Sequence, residues 1–185
     1  MNSSPSVSAV SGVEKPAPLD AAGLERRLIE IWNVRAYRDH PGRVELNEFG
    51  EVLVNPPVGV PHSRTAVRLA RLLEDELGGH CMVEVGVITD IGLRGPDVVW
   101  CSDGFLQQHP EQVALRAAPE ICIEVVSPND SLRELREKVQ SYLRAGAHEA
   151  WIVDPKAATV EIHRTDGVSA TSRFPVDVSR LFAAD

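Results

Sequence analysis

The chain has 185 residues, 43% of them hydrophobic and 25% charged, which is the balance of a single globular domain. No apolar run approaches the roughly 18–20 residues of a membrane-spanning helix, and the N-terminus lacks the pattern of a signal peptide, so we expect a cytoplasmic protein without a membrane segment. A net charge of −8 argues against a protein that coats nucleic acid by bulk attraction. Three widely spaced cysteines predict small core residues rather than disulfides or a zinc site.

The first segment of the chain differs in composition from the remainder. Residues 1–18 are rich in Ser, Pro and Ala without periodicity, which predicts a disordered tail. Residues 19–185 show no repeat and no second shift in composition, which predicts one domain. A first helix begins at Asp20, with its buried face predicted to hold Leu24, Leu28, Ile31 and Trp32.

A hairpin and a second helix follow. Residues 43–46 and 51–55 flank a turn that contains Asn47 and Gly50, a pattern typical of a β-hairpin. The apolar spacing then predicts a helix over 63–77, with Ser63 as its N-cap and Gly78 at its C-terminal end.

The central part of the chain has short apolar runs. Residues 81–87 alternate and predict a strand, followed by a loop through Gly92 and Gly95. Residues 97–101 and 121–126 are continuous apolar segments, as expected for strands buried on both faces.

A third helix and a last hairpin complete the pattern. The helix is predicted over 132–143, with capping-box spacing between Ser131 and Glu134 and Gly146 after its end. Residues 150–153 and 159–163 then predict a hairpin. The fold class expected from these elements is α/β (α+β), a central mixed β-sheet flanked by helices.

Glu124 interrupts the apolar strand 121–126. Alternation places Cys122, Glu124 and Val126 on one face of this strand and Ile121, Ile123 and Val125 on the other. A carboxylate in such a strand is unfavourable unless it is paired, hydrogen-bonded or bound to a metal. A glutamate at a sheet end, satisfied by an arginine, explains the same pattern.

Asp97 opens the other apolar strand. Alone it is typical of a turn residue. If the two strands pair, they lie about 4.8 Å apart, a separation over which Asp97 and Glu124 could share one Mg²⁺. Without a cation the two anions would repel each other, and one would stay protonated.

Several short motifs carry a family resemblance over about residues 20–165. They are Arg43-Val44-Glu45-Leu46, Gly50-Glu51, Pro56-Pro57, His62, Pro96-Asp97, Glu124-Val125-Val126-Ser127-Pro128, Glu137-Lys138, Tyr142-Leu143-Arg144-Ala145-Gly146 and Glu149-Ala150-Trp151-Ile152-Val153-Asp154-Pro155. In this order they resemble a large bacterial family of restriction-endonuclease-like proteins in the PD-(D/E)XK nuclease superfamily.

The resemblance implies a restriction endonuclease-like core that holds Mg²⁺ or Mn²⁺, with no small-molecule cofactor. Asp97 and Glu124 would be metal ligands, and the backbone carbonyl of Val125 a third. Glu45 resembles an acidic residue that some superfamily members add to the catalytic site.

One position departs from the superfamily pattern. The motif lysine is expected two residues after Glu124, where this chain has Val126. In the family that this chain resembles, the lysine lies instead on the following helix. Lys138 matches that position, at the edge of the buried face of the helix. An ordinary surface pair with Glu134, one turn earlier, explains Lys138 equally simply. Ser127 either orients the site or caps the turn before the helix.

Substrate contact requires positive charge and polar groups near the site. The residues that we expect to bind the substrate are Ser127, His62, Arg64, Arg68 and Tyr142. The alternatives are a helix-capping role for His62 and solvated helix faces for the arginines. No zinc finger or other DNA-reading module is recognisable, so any sequence specificity must come from this domain or from a homodimer, which we expect.

Three functional hypotheses follow. The first is a Mg²⁺-dependent endonuclease that hydrolyses DNA phosphodiester bonds. The second is a catalytically inactive nuclease-fold protein with a binding or regulatory role, favoured by the acidic charge and by Val126 at the motif position. The third, weaker, is a homodimeric structural protein whose exposed hairpins pair.

Overall fold

The computed structural model describes residues 16–110, 113–128 and 130–182, so most of the predicted N-terminal tail lies outside the described residues. This part of the chain has five α-helices, three of which match the predicted amphipathic segments. They are α1 (Ala21–Trp32), α2 (Arg35–Arg38), α3 (Val60–Leu77), α4 (Asp103–Gln108) and α5 (Leu132–Arg144), with a short 3₁₀-helix at Val178–Phe182. None of them is long and apolar enough to cross a lipid bilayer.

The strands form two sheets. They are β1 (Arg43–Asn47), β2 (Val52–Asn55), β3 (His80–Met82), β4 (Val87–Thr89), β5 (Gly92–Arg94), β6 (Val98–Cys101), β7 (Ile121–Val125), β8 (Glu149–Asp154), β9 (Thr159–Arg164) and β10 (Gly167–Ser169). A six-stranded sheet has the order β10-β9-β8-β7-β6-β3, and a four-stranded sheet has the order β2-β1-β5-β4. The larger sheet is mixed, because β7 and β8 run parallel while its other pairs are antiparallel.

Helices cover both faces of the larger sheet. On one face α3 packs through Leu69 and Leu73 against Ile121 and Ile123 of β7. On the other face α5 packs through Val139 against Cys122 of β7. The predicted alternation along β7 is therefore correct, and a mixed sheet flanked by helices is the architecture expected from the sequence.

The smaller sheet has its own helix. Leu24, Leu28 and Ile31 of α1 pack against Leu46 of β1 and Leu93 of β5, and all five side chains are buried. This third cluster explains the apolar spacing of α1 and holds that helix on the smaller sheet.

Some element boundaries differ from those predicted. Helix α3 begins at Val60 rather than at Ser63, with Gly59 as N-cap and a proline in its first turn, a position that suits proline. Ser131 is the N-cap of α5, but its side chain makes no capping hydrogen bond. The strand predicted over 81–87 is two strands, β3 and β4, separated by Glu84 with a φ of 56°.

Two other predictions about local structure were wrong. The segment expected to be a loop contains β5, which pairs with β1. Gly92 permits this pairing, because it has a φ of 113° and a Cβ there would clash with the Leu46 carbonyl oxygen. Trp32, expected on the buried face of α1, is 50% exposed at the end of that helix. Of the cysteines, Cys101 and Cys122 are buried and Cys81 is partly buried, and all three are free, as predicted.

Candidate functional site

Asp97 and Glu124 lie on neighbouring strands of the larger sheet. Val98 of β6 pairs with Ile123 of β7, and the Asp97 amide donates a hydrogen bond to the Ile123 carbonyl at 2.9 Å. The Asp97 side chain accepts a bond from the Val125 amide at 2.8 Å. Asp97 is 9% exposed and Glu124 2% exposed, so the predicted adjacency is correct and both carboxylates are removed from bulk water.

Helix α5 supplies two partners to Glu124. The Tyr142 hydroxyl donates to Glu124 Oε1 at 2.6 Å, and the Lys138 Nζ lies 2.9 Å from the same carboxylate. Lys138 and Tyr142 are four residues apart, so both face β7 from successive turns of the helix. The surface pair with Glu134 is therefore not the arrangement of Lys138, whose side chain is only 16% exposed.

The packing of α5 also accounts for the apolar side chain at position 126. Val126 follows Glu124 on the same face of the strand and packs into the apolar cluster beneath α5. A lysine at that position would place its charge against the helix. Lys138 brings an ammonium group to the same carboxylate from above the sheet instead.

Glu45 joins this group from the smaller sheet. It is 3% exposed on β1 and accepts hydrogen bonds from the Gly95 amide at 3.1 Å and from Lys138 at 3.2 Å. The Arg94 guanidinium lies 3.4 Å from its other oxygen. Lys138 thus bridges two carboxylates that belong to different sheets.

Arg43 is a member of the site whose role was not predicted from the sequence, although it belongs to one of the family motifs. Its Nη1 donates to Asp97 Oδ1 at 3.1 Å, and its Nη2 lies 3.5 Å from Glu45 Oε1. Arg43 and Glu45 are two residues apart on β1 and therefore share a face of the strand. That shared face is a local signal that could have identified Arg43.

His62 lies in the first turn of α3 and contacts Asp97. Its Nε2 is 3.0 Å from Asp97 Oδ2, and its side chain is 9% exposed. A neutral imidazole that donates from Nε2 to a carboxylate keeps an acceptor lone pair on Nδ1. Among the described residues, Nδ1 has no hydrogen-bond partner.

The electrostatics of the three carboxylates differ. Burial acts to raise the pKa of Asp97, but the hydrogen bond from His62 and the charge of Arg43 hold that pKa below its usual value. Burial opposes ionisation of Glu45 in the same way, and Lys138 and Arg43 hold its pKa below the usual value. Glu124 is the exception, because its pKa is raised. Burial raises this pKa and the neighbouring charge of Asp97 raises it further, while the charge of Lys138 acts to lower it.

These groups lie at the base of an open cleft of about 1060 Å³. The residues that line it include seven of the predicted site residues, which are Glu45, His62, Asp97, Glu124, Val125, Ser127 and Lys138. The Ser127 amide also donates to Asp130 Oδ2 at 2.7 Å in the turn before α5.

Three of the predicted substrate contacts are not supported by this arrangement. Tyr142 is completely buried, and its hydroxyl is bonded to Glu124, so it supports the site and does not touch a ligand. Arg64 and Arg68 do not line the cleft. On α3, Ser63 and Val67 line the cleft. Arg64 and Arg68 each lie one position further along the helix, so their side chains are rotated by about 100° away from the cleft.

The donor chemistry of the site suits a hard divalent cation. A carboxylate has about four lone-pair sites. Within the described residues, Asp97 accepts three hydrogen bonds and Glu124 accepts two. Oxygen donors therefore remain, and Val125 lines the same cleft. The site offers two such carboxylates, Asp97 and Glu124, and within the described residues no group of three or more His, Cys, Asp or Glu side chains is arranged to hold a metal.

Comparisons with known proteins agree with this description. No curated protein matched the sequence. Among solved structures, the crystal structure of a "putative nuclease belonging to DUF820" from Anabaena variabilis ATCC 29413 is similar, with a TM-score of 0.64 and 17% sequence identity. The similarity covers 79% of this chain and 94% of that chain, and at this identity it shows the fold alone. It confirms the predicted fold class, a central mixed sheet flanked by helices.

The sequence itself matches a family profile. The family is Uma2, described as "Putative restriction endonuclease", and the match extends over residues 32–181. Because this range is most of the chain, the protein belongs to the Uma2 family.

Proposed function

We propose that the protein is a Mg²⁺-dependent endonuclease that hydrolyses phosphodiester bonds in DNA. The observation that carries this proposal is the convergence of Asp97, Glu124 and Lys138 at the base of one open cleft. Two acidic ligands beside a buried ammonium group form a set that can bind a metal ion and stabilise a phosphoryl transition state. Family membership and the fold of the similar nuclease structure support the same reaction class.

In this proposal Asp97, Glu124 and the Val125 carbonyl would hold Mg²⁺ or Mn²⁺. The bound ion would lower the pKa of a water ligand and neutralise charge on the phosphoryl oxygens. Asp97 is already oriented by the Val125 amide and by His62, so its carboxylate needs no rearrangement of the backbone to face the cleft.

The remaining groups have positioning roles. Lys138 would face the negative charge that develops on the phosphate, and Glu45 fixes its Nζ from the opposite side. Glu124 and Glu45 hold the pKa of Lys138 above its usual value despite burial, so the ammonium group stays charged. His62 and Ser127 line the same cleft and would contact the substrate.

The experiment is a cleavage assay on supercoiled plasmid DNA with Mg²⁺ or Mn²⁺ and with EDTA. We expect metal-dependent nicking by the wild type and a loss of roughly 100-fold or more in Asp97→Ala and Lys138→Met. Asp75→Ala and Lys156→Met are matched controls, because both residues are exposed and outside the cleft. Equal cleavage by wild type and Asp97→Ala refutes the proposal.

A second candidate function is binding without catalysis. Of the residues that line the cleft, the acidic ones outnumber the basic ones, an unfavourable balance for a polyanion. The acidic ones are Glu45, Glu84, Asp97, Glu124, Asp130, Glu134 and Glu137, and the basic ones are Arg43, Arg94 and Lys138. This hypothesis predicts no cleavage with either metal, and tight Mn²⁺ binding that depends on Glu124 counts against it.

A further inference from the structure

Arg43 occupies the side of Asp97 that faces the cleft. Its guanidinium donates to Asp97 Oδ1 at 3.1 Å, and the Arg43 side chain is 24% exposed, whereas the Asp97 side chain is 7% exposed. Within the described residues, Oδ1 accepts this one hydrogen bond, while Oδ2 accepts from His62 and from the Val125 amide. The guanidinium therefore covers the carboxylate oxygen that has the most remaining capacity for a new ligand.

The buried charges of the site balance without a metal ion. The anions are the carboxylates of Glu45, Asp97 and Glu124, and the cations are Arg43, Arg94 and Lys138. Three negative and three positive charges give a sum of zero when His62 is neutral. A divalent ion added to this set must compete with a cation that is already in place.

The three cations differ in which carboxylate they contact. Arg94 bonds Glu45 and the Ile91 carbonyl, and Lys138 bonds Glu124 and Glu45. Within the described residues, Arg43 is the one of these three cations that bonds Asp97. Arg43, and not the charge cluster as a whole, is therefore the cation that would compete with a metal ion for Asp97.

We propose that Arg43 is the internal counter-ion of Asp97, and that its guanidinium competes with the divalent cation for this carboxylate and so sets the metal affinity of the site. The inference rests on the proposed metal site. Metal binding then requires the guanidinium to leave Asp97 Oδ1. The partly exposed position of Arg43 at the cleft permits that movement without a change in the backbone.

The close packing of Gly95 on Arg43 supports this assignment. A Cβ at residue 95 would lie 2.9 Å from Arg43 Cδ and 3.1 Å from Nε. Glycine at this position therefore leaves room for the guanidinium to reach Asp97. The Gly95 amide also bonds Glu45, and an alanine would keep that amide.

Mn²⁺ affinity measured by titration calorimetry tests the proposal. We expect Arg43→Gln to bind Mn²⁺ more tightly than the wild type, by a factor on the order of ten. Arg94→Gln is the matched control, because it removes the same charge from the same cluster without touching Asp97. Affinity in Arg43→Gln that is no tighter than in Arg94→Gln overturns the proposal, as does the absence of Mn²⁺ binding in every variant.

A second variant covers the case in which Arg43→Gln does not fold, as judged by circular dichroism. Gly95→Ala keeps the guanidinium charge but displaces it, so we expect tighter Mn²⁺ binding than in the wild type, and unchanged or weaker binding overturns the proposal.

DNA cleavage is measured separately. Tighter metal binding by Arg43→Gln without cleavage in any protein supports the counter-ion role and refutes the nuclease function. Metal-dependent cleavage by the wild type, together with an unchanged Mn²⁺ affinity in Arg43→Gln, supports the nuclease function and refutes the counter-ion role.

Discussion

Tyr142 supports the site from inside α5, and its hydroxyl can be removed without opening a cavity. Tyr142→Phe keeps the ring that packs beneath the helix and deletes the donor that lies 2.6 Å from Glu124 Oε1. Both side chains are buried, so water does not replace the lost hydrogen bond readily. The substitution therefore isolates one hydrogen bond to a carboxylate.

The expected loss follows from that geometry. A hydrogen bond to a charged group contributes about 1.5–3 kcal/mol, so we expect Tyr142→Phe to lower the free energy of unfolding by about 2 kcal/mol. For a domain of this size, Tm then falls by roughly 4–8 °C. Differential scanning calorimetry in EDTA measures this change without a contribution from bound metal.

A double-mutant cycle with Glu124→Gln identifies the partner. When residue 124 is neutral, Tyr142→Phe removes a weaker, uncharged hydrogen bond, so we expect the change in stability to shrink by about 1 kcal/mol. A Tyr142→Phe protein with the Tm of the wild type, or a cycle with no coupling between residues 124 and 142, refutes the reasoning.

Two further predictions concern buried carboxylates. In EDTA, burial raises the pKa of Glu124 above its ordinary value of 4.5, so the stability this residue contributes is largest below pH 4.5 and is lost as the pH rises through its folded pKa. Urea unfolding should therefore show the wild type gaining stability relative to Glu124→Gln as the pH falls towards 4.5, and a constant difference contradicts this. Glu149→Gln should cost about 3 kcal/mol in urea, because Glu149 is 1% exposed and pairs with Arg164. The control Glu161→Gln, at a residue that is 40% exposed, should change stability by about 0.5 kcal/mol or less.

The sequence pattern predicted the parts of the site that have local signals. Glu124 disrupts an apolar strand, and alternation assigned it to the face that α5 covers. Lys138 lies at the edge of an amphipathic stripe, from which it could reach the strand end. These signals arise because burial has a regular period in both a strand and a helix.

Other parts of the site depend on contacts between distant segments. Arg43 and Asp97 are 54 residues apart in the chain, and no periodicity relates a charged residue of one sheet to a carboxylate of the other. The hydrogen bond between Tyr142 and Glu124 depends on how α5 is positioned along β7, which the periodicity of the helix does not determine. For that reason the role of Tyr142 was assigned to the substrate instead of to the carboxylate.

The assembly of one charged cluster from two sheets has a consequence for the order of folding. Glu45 and Lys138 are 93 residues apart, and Glu45 and Arg94 are 49 apart, so these pairs form only after long loops have closed. Until then the carboxylates and cations remain hydrated and separate. We expect the cluster to form late in folding, so that a nascent or partly folded chain has the strands of the site but not its balanced set of charges.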